Sequence, residues 1–438
     1  MIQEDYRAAI DVGTTKVVTI IGRERPDGSV EIAGIGVTPC NGLSKGMVRD
    51  DAATTESIRA SVSEASRQAG LPIKSGYVGL SGSHIESANR WDLVHESSAE
   101  SVITQEDLDA ALGTVWDLAA EGGGQLLHVI PRGYALDNRH LVRTPLGMHA
   151  REIHAHTHVV KGDTQSIERL RSAVQAAGIH VAELIVEPIA SAEAALTTTE
   201  RDEGVVLLDI GGGTTDIAVF AGGQIVHSAV LPVGGWQFTN DLVMAFTASF
   251  EEAEALKRSA GSVTPEIASM RDELTINTLA EGVDGPISFT KRELGQLLKE
   301  RAHELFRLVK GKLNTPHLAQ VPIDRIVLTG GGAKLDGMQA LARYVFQGRV
   351  RTASPRPLAG LDEQYQDPAY SAGIGMLLWG LRNLPRGSHL GAPSASGPMV
   401  VGGERRWYGA FTGWRKRETA SEEDSERETS RAREEVSV

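Results

Sequence analysis

Two glycine turns, 198 residues apart, constrain this chain more than any other feature. Asp11-Val12-Gly13-Thr14-Thr15-Lys16 recurs as Asp209-Ile210-Gly211-Gly212-Gly213-Thr214-Thr215-Asp216. Each turn closes one apolar run and opens another, so each reads as a strand–turn–strand unit. A unit repeated at that distance predicts two related lobes, each presenting one hairpin. Glycine lets a backbone approach a phosphate closely, and successive N–H groups form a cradle for an anion. Threonine hydroxyls add donors, and Lys16 adds a positive charge. The aspartate ahead of each glycine repels a phosphate, so Asp11 and Asp209 are expected to act through Mg2+ and its waters. One such turn is ordinarily only a turn. Two matched Asp-x-Gly-Thr-Thr turns facing each other would clamp the phosphate tail of a nucleotide.

Other residues fit around that pair. Gly330-Gly331-Gly332-Ala333 closes the apolar run Ile326-Val327-Leu328-Thr329. It is either a tight strand–helix turn or backbone bared to an adenosine, where side chains would collide. A helix over 250–258 puts Glu254 and Lys257 on one face. Alone they are a solvated ion pair; in combination they could contact ribose or base. Glu187 follows Leu184-Ile185-Val186 and precedes Pro188. A carboxylate at a strand end, before a proline-started helix, can orient a water toward a γ-phosphate. It can equally be an acid favoured by the helix dipole.

The body, 8–384, alternates apolar runs with helical patterns. Residues 8–21 read as strand, turn, strand, and 205–210 and 325–329 as buried strands. Helices are expected over 54–68, where Ile58, Val62 and Ala65 keep helical spacing before Gly70 and Pro72, and over 167–177 and 292–313. Strands interleaved with helices predict mixed or parallel sheets covered by helices, an α/β fold. The 438 residues leave room for about three domains. With 57 acidic against 44 basic residues the net charge is -13, which argues against a generic nucleic-acid coat. Aromatic residues at 5% leave little for base stacking. The single cysteine, Cys40, excludes an intrachain disulfide. Glu4 and Asp5 are unlike a basic leader, and no run of about 18 apolar residues exists. The expectation is a cytoplasmic protein.

The set 11–16, Glu187-Pro188, 209–216, 329–333 and Ala372-Gly373-Ile374-Gly375 resembles, in its order, the signature of the actin, Hsp70 and sugar-kinase superfamily. Narrower stretches resemble the FtsA family of actin-like bacterial division proteins. They are Leu43-Ser44-Lys45-Gly46-Met47-Val48, Leu80-Ser81-Gly82-Ser83-His84-Ile85, residues 128–137 (HVIPRGYALD), Pro145-Leu146-Gly147-Met148 and 232–241. The resemblance covers about 7–384. It implies a two-lobed actin-like (ribonuclease H-like) ATPase fold with a small α/β subdomain inserted in the first lobe. The first-lobe core would be 7–82, 162–204 and 352–384, and the inserted FtsA-type subdomain 83–161. The second-lobe core would be 205–240 and 322–351, with an outer subdomain at 241–321.

The resemblance also implies ATP with Mg2+ between the lobes, self-association into filaments, and contact with the FtsZ C-terminal tail through the outer subdomain. Asp11 and Asp209 would hold Mg2+ through water. Thr14, Thr15, Lys16, Gly211, Gly212, Gly213, Thr214 and Thr215 would hold phosphates. Gly331, Gly332, Glu254 and Lys257 would hold adenosine, with Gly13, Gly234 and Gly330 completing the nucleotide contacts. Glu187, with Asp209, would serve hydrolysis, slow where it occurs. Other division proteins would be further partners.

From Pro385 the composition changes. Residues 385–404, rich in Gly, Ser and Pro, read as a flexible linker. In 405–417 a helix would gather Trp407, Ala410, Phe411 and Trp414 on one face. Arg405, Arg406, Arg415, Lys416 and Arg417 occupy the rest, five cations without an acid. That suits the headgroup zone of an anionic bilayer, with electrostatics contributing at most ~5 kcal/mol. Gly409 and Gly413 each cost about 1 kcal/mol in a helix interior and favour an unstructured stretch instead. Binding should be reversible for one copy and firm for a filament. Residues 418–438, with eight acids and three arginines, are expected to be a disordered acidic tail.

The expected function is an ATP-dependent, self-associating tether of FtsZ filaments on the cytoplasmic face of the membrane at the division site. Two rivals share the ATP motifs: another actin-like scaffold of the rod-shape or pilus type, and a small-molecule kinase. The insertion and the amphipathic tail argue against the kinase. His149, His154, His156 and His158 cluster, the last three on one strand face. Three on one strand splay along it rather than closing a tetrahedron, so a polar strand face is expected rather than zinc. Gly122–Gly124 reads as a loop inside the insertion.

Overall fold

The computed structural model describes residues 6–137, 141–267, 271–280, 285–321 and 323–383. The chain opens with a meander of apolar strands, β1 (Tyr6–Val12), β2 (Lys16–Glu24) and β3 (Val30–Pro39). A small ribbon follows, β4 (Leu43–Ser44) with β5 (Met47–Val48). Helix α1 runs Asp51–Ala69. It begins one turn before its apolar spacing does, because Asp50 caps it by accepting from Ala53 N. Such a cap contributes about 1 kcal/mol. Thr54 and Thr55, polar yet buried, conceal that first turn from a hydrophobic pattern. Gly70, left-handed at φ 65°, ends the helix and the chain enters β6 (Ser75–Leu80).

An insertion leaves after β6. It comprises β7 (Ile85–Val102), α2 (Gln105–Ala120), β8 (Gln125–Leu136), β9 (Leu141–Val142) and β10 (His149–Gly162). Its sheet order is β7-β10-β8-β9. Leu108 and Val115 of α2 pack with Tyr134 and Ile153 into a separate core. Gly122–Gly124 is the turn from α2 to β8. The chain then resumes with α3 (Thr164–Ala176), β11 (His180–Val186), α4 (Glu187–Ala195) and the short α5 (Thr198–Glu203). Helix α3 starts at Thr164, capped by Asp163, three residues before the expected bound.

The second half repeats the scheme. Strands β12 (Val205–Ile210), β13 (Thr215–Ala221) and β14 (Gln224–Leu231) form a meander. An outer group follows: α6 (Gly235–Phe246), α7 (Phe250–Ala260), the hairpin β15 (Glu273–Asn277) with β16 (Pro286–Thr290), and α8 (Lys291–Leu313). Then come β17 (Arg325–Thr329), α9 (Met338–Phe346) and β18 (Arg349–Thr352). Last is α10 (Ser371–Asn383), whose Ile374, Met376 and Leu377 return to the first lobe's core.

The two large sheets have one topology. The first is ordered β11-β6-β1-β2-β3 and the second β14-β13-β12-β17-β18. In each, the opening strand pairs antiparallel with the next on one side and parallel with a crossover strand on the other. Their cores are largely separate: Ile10, Ile20 and Ile185 anchor one, Leu208, Phe306 and Leu328 the other. Fully burying each such side chain contributes about 1.5–3 kcal/mol. The central strand of each sheet ends at a glycine hairpin, which puts both hairpins at the junction of the lobes.

Candidate functional site

Register, rather than the letter pattern, sets the equivalence of the two hairpins. Pairing stops at Val12↔Val17 in one and at Ile210↔Thr215 in the other, leaving four-residue loops in both. Gly13 N donates to Lys16 O at 3.0 Å, and Gly211 N to Thr214 O at 2.9 Å. Gly13 therefore matches Gly211, Thr14 and Thr15 match Gly212 and Gly213, and Lys16 matches Thr214. The two Thr-Thr pairs are not counterparts, as the sequence echo implies they are. The loops face each other in contact. A Cβ on Gly212 would lie 2.5 Å from Thr15 Cγ2, and one on Gly213 would overlap Thr14. Thr14 is steadied by Gly46 N, which donates to its Oγ1 at 3.2 Å.

Behind the loops four carboxylates converge: Asp11, Glu187, Asp209 and Asp216. Burial raises the pKa of all four, and the neighbouring acids raise Asp11, Glu187 and Asp216 further. Asp11 is pushed up to about 7 and Asp209 to about 6. Asp209 is held back by Ser191, whose hydroxyl donates to Oδ2, and by Lys16. Ser81 Oγ donates to Asp216 at 2.9 Å, and Thr214 Oγ1 adds a bond at 3.3 Å. Glu187 opens α4 directly after β11, and Pro188 sets the first turn.

Lys16 is the cation acting on both Asp11 and Asp209. Its ammonium stands 3.9 Å from the centre of the Tyr370 ring. Burial lowers its pKa, against the opposing pull of Asp11 and Asp367. Desolvation and mutual repulsion keep these carboxyls short of full ionisation, with Lys16 the cation acting on Asp11 and Asp209, and a bound cation would favour their ionised forms. The set is all oxygen, the donor type of a hard cation such as Mg2+. Among the described residues no three His, Cys, Asp or Glu side chains close on a metal position. The residues therefore fit an ion held through its water shell rather than one ligated directly.

The third glycine turn packs on the second hairpin. Gly330 is left-handed at φ 83°, and a Cβ there would overlap the Asp209 carboxylate. Gly332 lies against Ile210, whereas the nearest atom to a Cβ on Gly331 is Ala369 Cβ at 3.7 Å. Gly331 is thus the bared member of the three. Gly234 precedes α6, whose first amides also meet that hairpin. Gly235 N donates to Gly211 O at 2.9 Å and Trp236 N to Gly212 O at 2.7 Å. Lys257 Nζ bonds Glu254 at 2.6 Å, Thr239 Oγ1 at 2.7 Å and Gly235 O at 3.0 Å. With the lysine side chain 12% exposed, the pair is a half-buried network and not a solvated bridge.

The sequence reading brought out Asp11, Lys16, Glu187 and Asp209 but gave no role to Asp216, Ser81 or Ser191. Ser191 stands four residues after Glu187 on α4, so helical spacing could have exposed it. Ser81 follows β6 directly, with no comparable signal. The histidines behave as a polar strand face. His154 and His156 lie against Trp91, His158 bonds Asn89 and Ser228, and His149 is separate at the start of β10. The linker 385–404, the basic segment 405–417 and the acidic tail 418–438 lie outside the described residues. Among the described residues no helix is long and apolar enough to cross a membrane.

Comparison with known proteins places this geometry. The family model "Cell division protein FtsA" matches residues 206–375, and "SHS2 domain inserted in FTSA" matches 82–161. A model of the type IV pilus assembly protein PilM matches 126–268. The cell division protein FtsA of Pseudomonas aeruginosa is 35% identical over 387 residues, 88% of this chain and 92% of that protein. FtsA of Escherichia coli is 32% identical, covering 93% of this chain and 97% of that protein. FtsA of Bacillus subtilis is 31% identical, covering 87% and 85%. Among solved structures, a PilM–PilN type IV pilus biogenesis complex superposes with a TM-score of 0.63 at 17% identity, covering 86% of this chain and 98% of that one. MreB5 of Spiroplasma citri bound to AMPPNP gives 0.51 at 15% identity, covering 86% and 96%. The fold is the two-lobed actin-like one, with an inserted α/β subdomain.

Proposed function

Because the chain belongs to the FtsA family of cell division proteins, we propose that it binds Mg-ATP between its lobes, self-associates, and anchors FtsZ filaments to the cytoplasmic face of the membrane. The observation that carries the nucleotide part is the pair of four-residue hairpins in contact, backed by three buried aspartates and the half-buried Glu187. Loop amides, the Thr14 and Thr15 hydroxyls and Lys16 would bind the phosphates. Asp11 and Asp209 would hold the waters of Mg2+. That ion, when bound, supplies positive charge to the phosphate oxygens and offsets the carboxylates. Glu187 would accept a proton from, and orient, a water near the terminal phosphate, and Asp216, hydrogen-bonded to Ser81, would support that arrangement. Gly331, Glu254 and Lys257 would border the adenosine.

The nucleotide acts first as a conformational ligand. It touches both lobes, so it favours whichever arrangement brings the hairpins together, by its difference in affinity between arrangements. Turnover, where it occurs, is slow. The outer subdomain, 241–321, would receive the FtsZ C-terminal tail, and 405–417 would lie on anionic lipid.

Co-sedimentation with anionic vesicles, Mg-ATP and FtsZ tests the tether. FtsZ is expected to pellet with the full chain and to stay in solution with a chain ending at Leu384. FtsZ left in solution by a full chain that itself pellets would remove FtsZ as the partner and leave the anchor standing.

A further inference from the structure

Among the described residues, the seam between the insertion and the second lobe gathers five basic side chains. On the insertion side stand Arg132 of β8 and His156 and His158 of β10; on the other, His227 of β14 and His317. The seam is held by polar bonds: Ser87 Oγ to Ser228 O at 2.6 Å, Asn89 Nδ2 to Val226 O at 2.9 Å, and His158 Nε2 to Ser228 Oγ at 2.9 Å. His227 Nδ1 and His317 Nε2 lie 3.3 Å apart. Among the described residues, the four histidines are each disfavoured as cations by burial and by basic neighbours, Arg132, Lys312 and His128 among them.

Arg132 makes the imbalance specific. Its Nη1 lies 3.1 Å from His156 Nε2. A guanidinium only donates, so this contact makes Nε2 the acceptor and leaves the His156 proton on Nδ1. Among the described residues, Arg132 Nε, His156 Nδ1 and His227 Nε2 are buried and have no hydrogen-bond partner. Leaving such a group unmet when buried is costly. The bond to His156 takes Nη1, which frees the Nε–Nη2 edge. That edge matches two oxygens of a carboxylate or phosphate side-on. Exposed His317 and exposed Trp91 mark where the seam meets solvent.

We propose that this seam is an oxyanion site, with Arg132 binding two oxygens of a phosphate or carboxylate through Nε and Nη2. The site stands apart from the glycine hairpins and does not depend on the nucleotide reading. An anion there would tie the insertion to the second lobe.

The test is titration of full-length protein, saturated with Mg-ATP and held at constant ionic strength, with inorganic phosphate, followed by histidine ring NMR. Saturable shifts at His156 and His158 are expected, with a half-point below roughly 10 mM. R132Q, which can still donate to His156, should weaken binding at least about tenfold. An unaltered ATP affinity in R132Q shows that the variant is folded. A tri-glutamate peptide run in parallel separates the sources: tighter binding than phosphate assigns the site to a protein carboxylate, weaker binding to free phosphate. Absence of saturable shifts with either probe, or equal binding by R132Q, overturns the proposal.

Discussion

The two hairpins share a backbone and differ in almost every side chain that matters. Both close four residues with the same Gly N–H to carbonyl bond. Where the first carries Thr14 and Thr15, the second carries Gly212 and Gly213, and the small pair faces the large one. Where the first ends in Lys16, the second ends in Thr214. Opposite Asp11 stands Val18, and opposite Asp209 stands Asp216. The duplicated part is thus the amide cradle, while charge and bulk have been divided between the copies. One copy brings the cation and the other the extra acid.

The largest effect should follow from breaking what the copies share. Asp209→Ala removes a carboxylate at the lobe junction, and Mg-ATP affinity by calorimetry should fall roughly 100-fold, about 2.7 kcal/mol. Asp11→Ala should match it within a few-fold; an unchanged affinity in either would remove both from the site. Next comes the small-against-large fit. Gly212→Val should cost at least about tenfold in ATP affinity through collision with Thr15, and Thr15→Gly in the same chain should recover most of it. Failure of the second change to rescue would separate the loops in function.

A smaller effect concerns the acid that only the second copy holds. Ser81→Ala removes the shorter of two hydrogen bonds to Asp216 and should slow ATP turnover a few-fold while changing ATP affinity little. A reduced affinity with unchanged turnover would assign Asp216 to binding instead. The smallest effect is on stability. A carboxylate whose pKa is raised on folding holds its proton more tightly folded than unfolded, so its contribution falls as pH rises. Asp11 at about 7 and Asp209 at about 6 place that loss between about pH 4 and pH 7. Mg-ATP favours the ionised forms. The rise in Tm on adding it should therefore be larger at pH 8 than at pH 5.5, and an equal rise would mean that no cation meets the carboxylates.

Much of this was legible in the residues. The strands β12 and β17 coincide with the expected runs because each holds an apolar run and is followed directly by glycine. Helix starts were less legible, since caps such as Asp50 and Asp163 begin helices in polar stretches where periodicity is silent. Asp11, Lys16, Glu187 and Asp209 could be found because glycine or proline punctuates each. Ser81 and Ser191 could not be found that way, because their importance comes from strands and helices distant in sequence meeting at one point. The echo itself misled on one detail. Letters aligned threonine with threonine, whereas hydrogen-bond register aligned threonine with glycine.

If both hairpins hold one Mg-ATP, hydrogen exchange by mass spectrometry reads both at once. With saturating Mg-ATP against nucleotide-free protein, amides of 13–16 and 211–215 should slow together, with one concentration dependence and a stoichiometry of one per chain. Slowing in one hairpin alone, or in neither, would contradict the shared clamp.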